Sequence, residues 1–186
     1  MQTFFTSDFH WNHLNCIKYE NRPFKSLDDM NNTIIHHFNE RVKESDRCYI
    51  IGDLNFKSGS GRGEGEPKKP KELFSQLICK NIIIIEGNHD KDGRNGFKAQ
   101  IQSLVINYGG TKMNLVHNPD HADFRYKINL VGHVHGKWRI ERRFDAYNRF
   151  TDCINVGVDV WNFYPVSWDE INSRYIRWKK EYEKTN

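Results

Sequence analysis

The sequence predicts a single α/β domain, residues 1–186, in which a mixed β-sandwich is flanked by helices. Two observations lead to this prediction. Short apolar or β-branched runs bounded by turn residues recur along the chain, and such runs are typical of buried strands. Segments with helical spacing of apolar residues lie among these runs, and hairpin patterns gather in the second half. This order favours a mixed sheet.

The first half of the chain alternates strands with helices. Three strands are predicted, at residues 2–7, 47–53 and 82–85. The segment "SLDDMNNTIIHHFNERV" predicts a helix that Ser26 caps with Asp29 three residues later. One face of this helix is apolar, formed by Met30, Ile34 and Phe38. A shorter helix, "PKELFSQL", has Pro70 near its start. The segment 56–70, rich in Gly, Ser, Lys and Pro, predicts a flexible loop, either a solvated connection or a lid.

The second half begins with a hairpin and ends with a helix. In "SLVINYGGTKMNLVH", Gly109 and Gly110 form the predicted turn. Further strands are predicted within "KINLVGHVHG", "WRIERRF" and "DCINVGVDV". The segment "SWDEINSRYIRWKKEYEK" predicts a helix with a capping box of Ser167 and Glu170. Its stripe of Ile171, Tyr175, Trp178 and Tyr182 indicates core packing.

The composition narrows the classes of protein to consider. A net charge of +4 suits an anionic substrate, and the lack of a dense basic run argues against a nuclease of long duplexes. No apolar stretch approaches roughly 18 residues, and the N-terminus has no signal-peptide pattern, so we expect a cytoplasmic protein without membrane contact. Four scattered cysteines without CxxC spacing argue against a zinc knuckle or disulfide framework and indicate reduced thiols.

Five separate apolar runs end in Asp, Asn or His, as "NIIIIEGNHD" does at residues 81–90. The polar residues at these ends are Asp8, His10, Asp53, Asn88, His117, His133 and His135. Since residues i and i+2 of a strand point to the same side, Asp8 with His10, and His133 with His135, are expected to face one side in pairs. One histidine at a strand end is usually structural. Their joint occurrence indicates a site for divalent metal ions.

The number of these groups favours two ions, since one ion with open positions needs about three protein ligands. Two ions about 3.5–4 Å apart, bridged by one carboxylate, would use all seven. Two dications with the carboxylates of Asp8 and Asp53 leave positive charge at the site. This charge would attract an anion such as a phosphate ester.

The motifs in this chain resemble those of the calcineurin-like metallophosphoesterases, of the small single-domain prokaryotic and phage type. In order, they are "DFH" at 8–10, "GD" at 52–53, "GNHD" at 87–90, His117, and "GHVH" at 132–135. They frame over two thirds of the chain. The flanking segments "NRPFKS", "FNERV" and "NVGVDVWNFYPVS" also resemble lesser landmarks of the family. The resemblance implies a four-layer α/β/β/α sandwich with a dinuclear site at one end.

The resemblance also implies a role for each motif residue. One ion would be held by Asp8, His10 and His135, and the other by Asn88, His117 and His133, with Asp53 bridging the two. His121, four residues after His117, is the alternative ligand at that motif. Manganese is the expected metal, with iron, zinc or nickel as alternatives.

The implied chemistry is attack on phosphorus by a metal-bridging hydroxide. His89 would protonate the leaving oxygen or stabilise its charge, and Asp90 would orient His89. Arg22 and Arg94 are candidate phosphate contacts because of their charge and their nearness to motifs, and His13 is a candidate to line the pocket.

The expected function is hydrolysis of a phosphodiester or a small phosphomonoester. The expected partner is a small phosphorylated substrate, such as a nucleotide or a nucleic-acid fragment, and the oligomeric state stays open. Two alternatives remain: a catalytically silent scaffold of the same fold that binds proteins, and a metal-dependent hydrolase of non-phosphate bonds.

Overall fold

The computed structural model describes residues 1–56, 68–91, 93, 96 and 98–185. Most of the loop predicted at 56–70 lies outside these residues. The strands are β1 (Thr3–Thr6), β2 (Arg47–Ile51), β3 (Asn81–Ile85), β4 (Ser103–Tyr108), β5 (Thr111–Val116), β6 (Ile128–Val131), β7 (Ile140–Phe144), β8 (Phe150–Asn155) and β9 (Val166–Ser167). The α-helices are α1 (Leu14–Tyr19), α2 (Leu27–Arg41), α3 (Pro70–Phe74) and α4 (Trp168–Thr185).

The strands form two mixed sheets. The first sheet has the order β3-β2-β1-β9, in which β1, β2 and β3 are parallel and the short β9 is antiparallel to β1. The second sheet has the order β4-β5-β6-β8-β7, with β5, β6 and β8 parallel and an antiparallel strand at each edge. The two sheets with their helices confirm the predicted mixed α/β class.

A core of apolar side chains joins the two sheets. The first sheet contributes Phe5, Tyr49, Ile51 and Ile85, and the second contributes Met113, Leu115, Ile128, Leu130 and Ile154. Helix α4 adds Trp168 and Ile171 to the same core. Each of these buried side chains contributes roughly 1.5–3 kcal/mol of transfer free energy. This core fixes how the two sheets, and therefore their strand ends, lie relative to each other.

A second core lies between the first sheet and the helices before it. Helix α2 begins as predicted, because the Ser26 hydroxyl accepts a hydrogen bond from the Asp29 backbone N–H at 3.1 Å. Its buried face, including Met30, Ile34 and Phe38, packs on the sheet. This packing holds α2 against strands β1 and β2.

Several elements depart from the predicted boundaries. The six-residue helix α1 and the two-residue strand β9 have no predicted counterpart. Helix α3 ends at Phe74, earlier than predicted, and "DCINVGVDV" leaves strand β8 at Asn155 and continues into a short 3₁₀ turn. The predicted hairpin is confirmed. Gly109 and Gly110 have φ of 57° and 73°, the left-handed values that a two-residue hairpin turn requires.

The parallel strands determine where the polar strand ends lie. The carboxyl ends of β1, β2 and β3 share one edge of the first sheet, and those of β5 and β6 share one edge of the second. Candidate ligands follow all five strands. None of the helices in the described ranges has the length and apolar character that a membrane crossing requires.

Candidate metal centre

Five of the seven predicted ligands have a left-handed backbone. Their φ angles are 60° for Asp8, 49° for His10, 53° for Asp53, 71° for His133 and 50° for His135. Such a conformation costs roughly 1–3 kcal/mol for a residue with a side chain, and it tends to occur at functional sites. The expectation that strand alternation aims Asp8 with His10, and His133 with His135, is wrong, because β1 ends at Thr6 and β6 ends at Val131. The loop backbone directs them instead.

The carboxylate of Asp53 lies at the middle of the cluster. Its Oδ2 is 3.1 Å from His117 Nε2, 3.6 Å from His10 Nε2 and 4.0 Å from His89 Nε2. Its Oδ1 accepts a hydrogen bond from the His89 backbone N–H at 3.0 Å. A Cβ at Gly87 would press on the backbone nitrogen and Oδ1 of Asp53, so this turn needs glycine for the close approach. Asp53 thus contacts groups on both sides of the site.

One side of Asp53 carries an amide and two imidazoles. The Asn88 Oδ1 lies 3.1 Å from His117 Nε2 and 2.9 Å from His133 Nδ1. His117 Nδ1 donates to the Ile51 carbonyl at 2.7 Å, so its Nε2 is the nitrogen that faces the site. Ligand atoms of Asp53, His117 and His133 all lie within 4.8 Å of one another. We call this the Asn88 position.

The other side of Asp53 carries Asp8, His10 and His135, and we call it the His10 position. The His10 Nε2 lies 3.9 Å from Asp8 Oδ1. The rings of His10 and His135 stack with centroids 4.9 Å apart. The Asp8 carboxylate accepts the His133 backbone N–H at 3.0 and 3.1 Å, which links the two positions.

The donor set fits divalent metal ions. Among the described residues, the His10 Nε2 is buried and has no hydrogen-bond partner. An orphaned buried nitrogen is costly unless something binds it. It faces two carboxylates together with further imidazole nitrogens, the ligand types that zinc, iron and manganese accept. Cations at both positions would satisfy these groups.

Burial and mutual charge set the protonation of these residues. Burial raises the pKa of Asp8 and lowers that of His10 well below its usual value, so His10 is neutral, as a metal ligand must be. Burial would also raise the pKa of Asp53, but the hydrogen bond and charge of His117 outweigh it and lower that pKa. Burial lowers the pKa of His117, but the hydrogen bond to Asp53 and the charges of Asp8 and Asp53 outweigh it and raise this pKa to about 9.

His89 and Asp90 do not form the expected pair. The Asp90 carboxylate accepts hydrogen bonds from the backbone N–H groups of Asp53 at 2.7 Å, Gly87 at 3.0 Å and Leu54 at 3.3 Å. It therefore ties the β2 and β3 strand ends together, and the expectation that it orients His89 is corrected. The His89 side chain is 28% exposed, with its Nε2 4.0 Å from Asp53 Oδ2, and its role toward the leaving oxygen stays a prediction.

Arg22, predicted as a phosphate contact, is buried beneath the site. It forms a bidentate pair with Asp159 at 2.8 Å and donates to the carbonyls of Asp8 and Phe9 at 2.7 and 2.9 Å. These bonds, with one to the Met30 sulfur, engage its guanidinium, so the prediction is wrong. Its role is to hold the loop that carries Asp8.

Asp159 has no assigned role in the sequence-based prediction. Its Oδ2 accepts a hydrogen bond from His135 Nδ1 at 3.2 Å while its carboxylate pairs with Arg22. Carboxylates that orient a metal-binding imidazole in this way strengthen the ligand. Its only signal in the sequence is its place in "NVGVDVWNFYPVS", a segment that carries the resemblance.

His13 lies at the edge of the His10 position. Its ring stacks on Phe56 with centroids 4.0 Å apart, and its Nδ1 is 3.4 Å from His10 Nδ1. Burial, aided by the charge of His89, lowers its pKa to about 4, so His13 packs against the ligand as a neutral ring. Its contact with substrate stays a prediction. Arg94 lies outside the described residues.

A cavity of about 220 Å³ opens beside the Asn88 position. Asn88, His117 and His133 line it together with Lys91 and His121. Neither Lys91 nor His121 was predicted to contact substrate, although Lys91 directly follows the "GNHD" motif. The structure brings His117 to the cluster and leaves His121 on the cavity wall, which Glu86 also lines.

No family model matches the chain. The uncharacterized protein MJ1445 of Methanocaldococcus jannaschii is 38% identical over 168 residues, covering 89% of this chain and 86% of that protein. A protein of unknown function from Aquifex aeolicus, AQ665, has a similar fold, with a TM-score of 0.65, 23% identity, and coverage of 92% of this chain and 98% of that one. YfcE, a phosphoesterase from E. coli, is 17% identical with a TM-score of 0.44, covering 83% and 78% of the two chains.

The two mixed sheets and the similarity to AQ665 confirm the predicted fold class, a mixed β-sandwich flanked by helices. The 38% identity to the M. jannaschii protein extends over most of both chains and establishes that the two share a family. The chain belongs to the same family as the uncharacterized protein MJ1445 of Methanocaldococcus jannaschii.

Proposed function

We propose that this protein is a metal-dependent phosphoesterase that hydrolyses a phosphodiester or a small phosphomonoester at a dinuclear centre. The His10 position would hold one ion through Asp8, His10 and His135. The Asn88 position would hold the other through Asn88, His117 and His133. Asp53 would bridge the two ions.

The observation that carries this proposal is the placement of Asp53. One oxygen of this buried carboxylate lies within 4.0 Å of imidazole nitrogens from both positions. A structural carboxylate would be satisfied by backbone N–H groups, as Asp90 is. Asp53 Oδ2 instead faces ring nitrogens, and a carboxylate between two imidazole clusters is the arrangement that a shared pair of cations needs.

When bound, two divalent ions would supply Lewis acidity toward phosphoryl oxygens and lower the pKa of a water molecule. The protein's own groups would orient the ligands and handle the leaving group. Asp159 holds His135, and the Ile51 carbonyl holds His117, so both rings are set before substrate arrives. His89, partly exposed at the rim, can donate a proton or a hydrogen bond to the leaving oxygen.

The surroundings of the site favour a small anionic substrate. The cavity of about 220 Å³ beside the Asn88 position can take a phosphoryl group with a modest substituent. Lys91 and His121 on its wall would contact the phosphate or the substituent. The proposed substrate is a nucleotide or the end of a nucleic-acid fragment, with its phosphoryl group in this cavity.

Hydrolysis of bis(p-nitrophenyl) phosphate beside p-nitrophenyl phosphate tests the proposal. The protein is stripped of metal, and manganese or zinc is added back. Metal-dependent release of nitrophenolate from the diester would support a phosphodiesterase, and faster release from the monoester would move the assignment to a phosphomonoesterase. If both ions bind without hydrolysis of either ester or of a panel of nucleotides, the proposal fails and the scaffold alternative gains.

A further inference from the structure

We infer that Cys16 supplies a sulfur ligand at the His10 position, so that this position selects a thiophilic ion. The inference rests on the proposed dinuclear centre and goes beyond it, because it assigns a different chemistry to the two positions. In the described residues, the Asn88 position has only nitrogen and oxygen donors nearby.

The first support is distance. The Sγ of Cys16 and ring nitrogens of His10 and His135 all lie within 4.8 Å of one another. Zinc binds sulfur at about 2.3 Å and imidazole nitrogen at about 2.0–2.1 Å, so two ligand atoms of one ion can be separated by up to roughly 4.4 Å. Little movement of the side chain is therefore needed for one ion to contact all three.

The second support is the unusual environment of this cysteine. All four cysteines are buried with free thiols. Three of them, Cys48, Cys79 and Cys153, belong to apolar core clusters. Within the described ranges Cys16 is a member of none of these clusters, although it is only 2% exposed. Cys16 therefore differs from the other three cysteines in lying outside these apolar clusters.

The third support is independent of the cysteine. The buried Nε2 of His10 has no hydrogen-bond partner among the described residues. Two successive turns join His10 to the start of α1, because the His13 backbone N–H donates to the His10 carbonyl at 3.0 Å and the Cys16 backbone N–H donates to the His13 carbonyl at 3.0 Å. An unsatisfied buried imidazole with a thiol and a second imidazole within 4.8 Å offers nitrogen and sulfur donors to one ion.

Coordination changes no oxidation state. A sulfur–metal bond forms as the Cys16 S–H bond breaks, and the proton passes to solvent. Thiolate ligands favour zinc and iron(II), whereas the oxygen and nitrogen donors of the Asn88 position also suit manganese. The two positions should therefore select different metals. We expect zinc or iron at the His10 position, and zinc, iron or manganese at the Asn88 position.

Cobalt substitution tests the inference directly, because a cobalt(II)–thiolate bond gives a charge-transfer band in the near ultraviolet that nitrogen and oxygen ligands do not give. Metal-free protein is titrated with cobalt while the near-ultraviolet and visible spectra are recorded. The wild type should show both the visible ligand-field bands and the charge-transfer band. Cys16→Ser should keep the ligand-field bands and lose the charge-transfer band.

Cys79→Ser is the matched control. Cys79 lies just before strand β3, at the end of the sheet opposite the site, and its thiol contacts the Asp46 carbonyl. Its variant should give the wild-type spectrum.

Ligand-field bands without a charge-transfer band in the wild type would overturn the cysteine assignment and leave the metal centre standing. A charge-transfer band that persists in Cys16→Ser would also overturn the cysteine assignment. If the serine variant does not fold, Cys16→Ala takes its place in the same comparison. Failure to bind cobalt at all would overturn the proposed function together with this inference.

Discussion

The Nε2 of His117 lies 3.1 Å from Oδ2 of Asp53, while its Nδ1 lies 2.7 Å from the Ile51 carbonyl. The carbonyl requires a proton on Nδ1, and the buried carboxylate favours a second proton on Nε2. In the absence of an ion, this second proton occupies the place where a cation would bind. The relationship between these two residues therefore couples metal binding to pH.

Metal binding should release a proton from His117. Its pKa is raised from 6.5 to about 9, so the imidazole is protonated at neutral pH in the metal-free protein. A ligand histidine must be neutral, so affinity should rise about tenfold per pH unit for one proton and level off above about pH 9. Isothermal titration calorimetry in two buffers of different ionisation enthalpy measures the released proton. Identical heats in both buffers would show that metal binding releases no proton and would contradict the prediction.

Asp53→Asn should disrupt both metal positions. The substitution keeps the shape but removes the charge that bridges the two imidazole clusters, and an amide cannot bridge two cations as a carboxylate does. We expect fewer than two ions per chain by elemental analysis after equilibrium dialysis. Asp169→Asn, at an exposed carboxylate on α4, should load normally. Full occupancy in Asp53→Asn would rule out the bridging role.

His89→Ala should lower turnover while leaving metal content unchanged. Loss of a general acid costs on the order of 10²–10⁴ in rate for an alkyl ester, whose leaving oxygen needs a proton. The loss should shrink for p-nitrophenyl esters, which leave without protonation. His36→Ala, at an exposed histidine of α2, is the control. Loss of metal in the His89 variant would make this residue a ligand instead.

Asp159→Asn should weaken the His10 position without emptying the Asn88 position. The carboxylate contacts His135 Nδ1 at 3.2 Å, and loss of such a partner commonly reduces metal affinity by about 10–100-fold. Turnover per folded molecule should recover at high metal concentration, because Asp159 contacts no reacting atom, although loss of its pairing with Arg22 should lower stability. A rate that stays low at saturating metal would show that Asp159 does more than position His135.

Arg22→Met should destabilise the protein. The side chains of Arg22 and Asp159 are 0% and 6% exposed, so removal of the guanidinium leaves a buried charge and two carbonyls without a partner. Breaking a buried pair in this way costs about 3–5 kcal/mol, which urea denaturation of the metal-free protein can measure. If Arg22 bound substrate instead, the variant would keep its stability and raise KM.

Local pattern was enough to predict much of this fold. The helix start at Ser26, the Gly109–Gly110 hairpin and the Ser167–Glu170 capping box depend on residues a few positions apart, and the structure has all three. These features need no knowledge of distant contacts.

The details of the site depend on contacts that local pattern cannot reveal. Arg22 and Asp159 are separated by 137 positions, and the Asp90 carboxylate reaches the Asp53 backbone across 37. In the sequence, Arg22 is simply a cation near a motif and Asp90 a carboxylate beside a histidine. Their burial decides their roles, and burial is set by how the two sheets and α2 pack.

Metal titration of turnover tests the central claim most directly. Metal-free protein is mixed with bis(p-nitrophenyl) phosphate, and divalent metal is added stepwise while the hydrolysis rate and the number of bound ions are measured together. The account predicts no turnover without metal and a rate that reaches its maximum only when both the His10 and Asn88 positions are filled. Turnover that is the same in the metal-free and metal-loaded protein would contradict it.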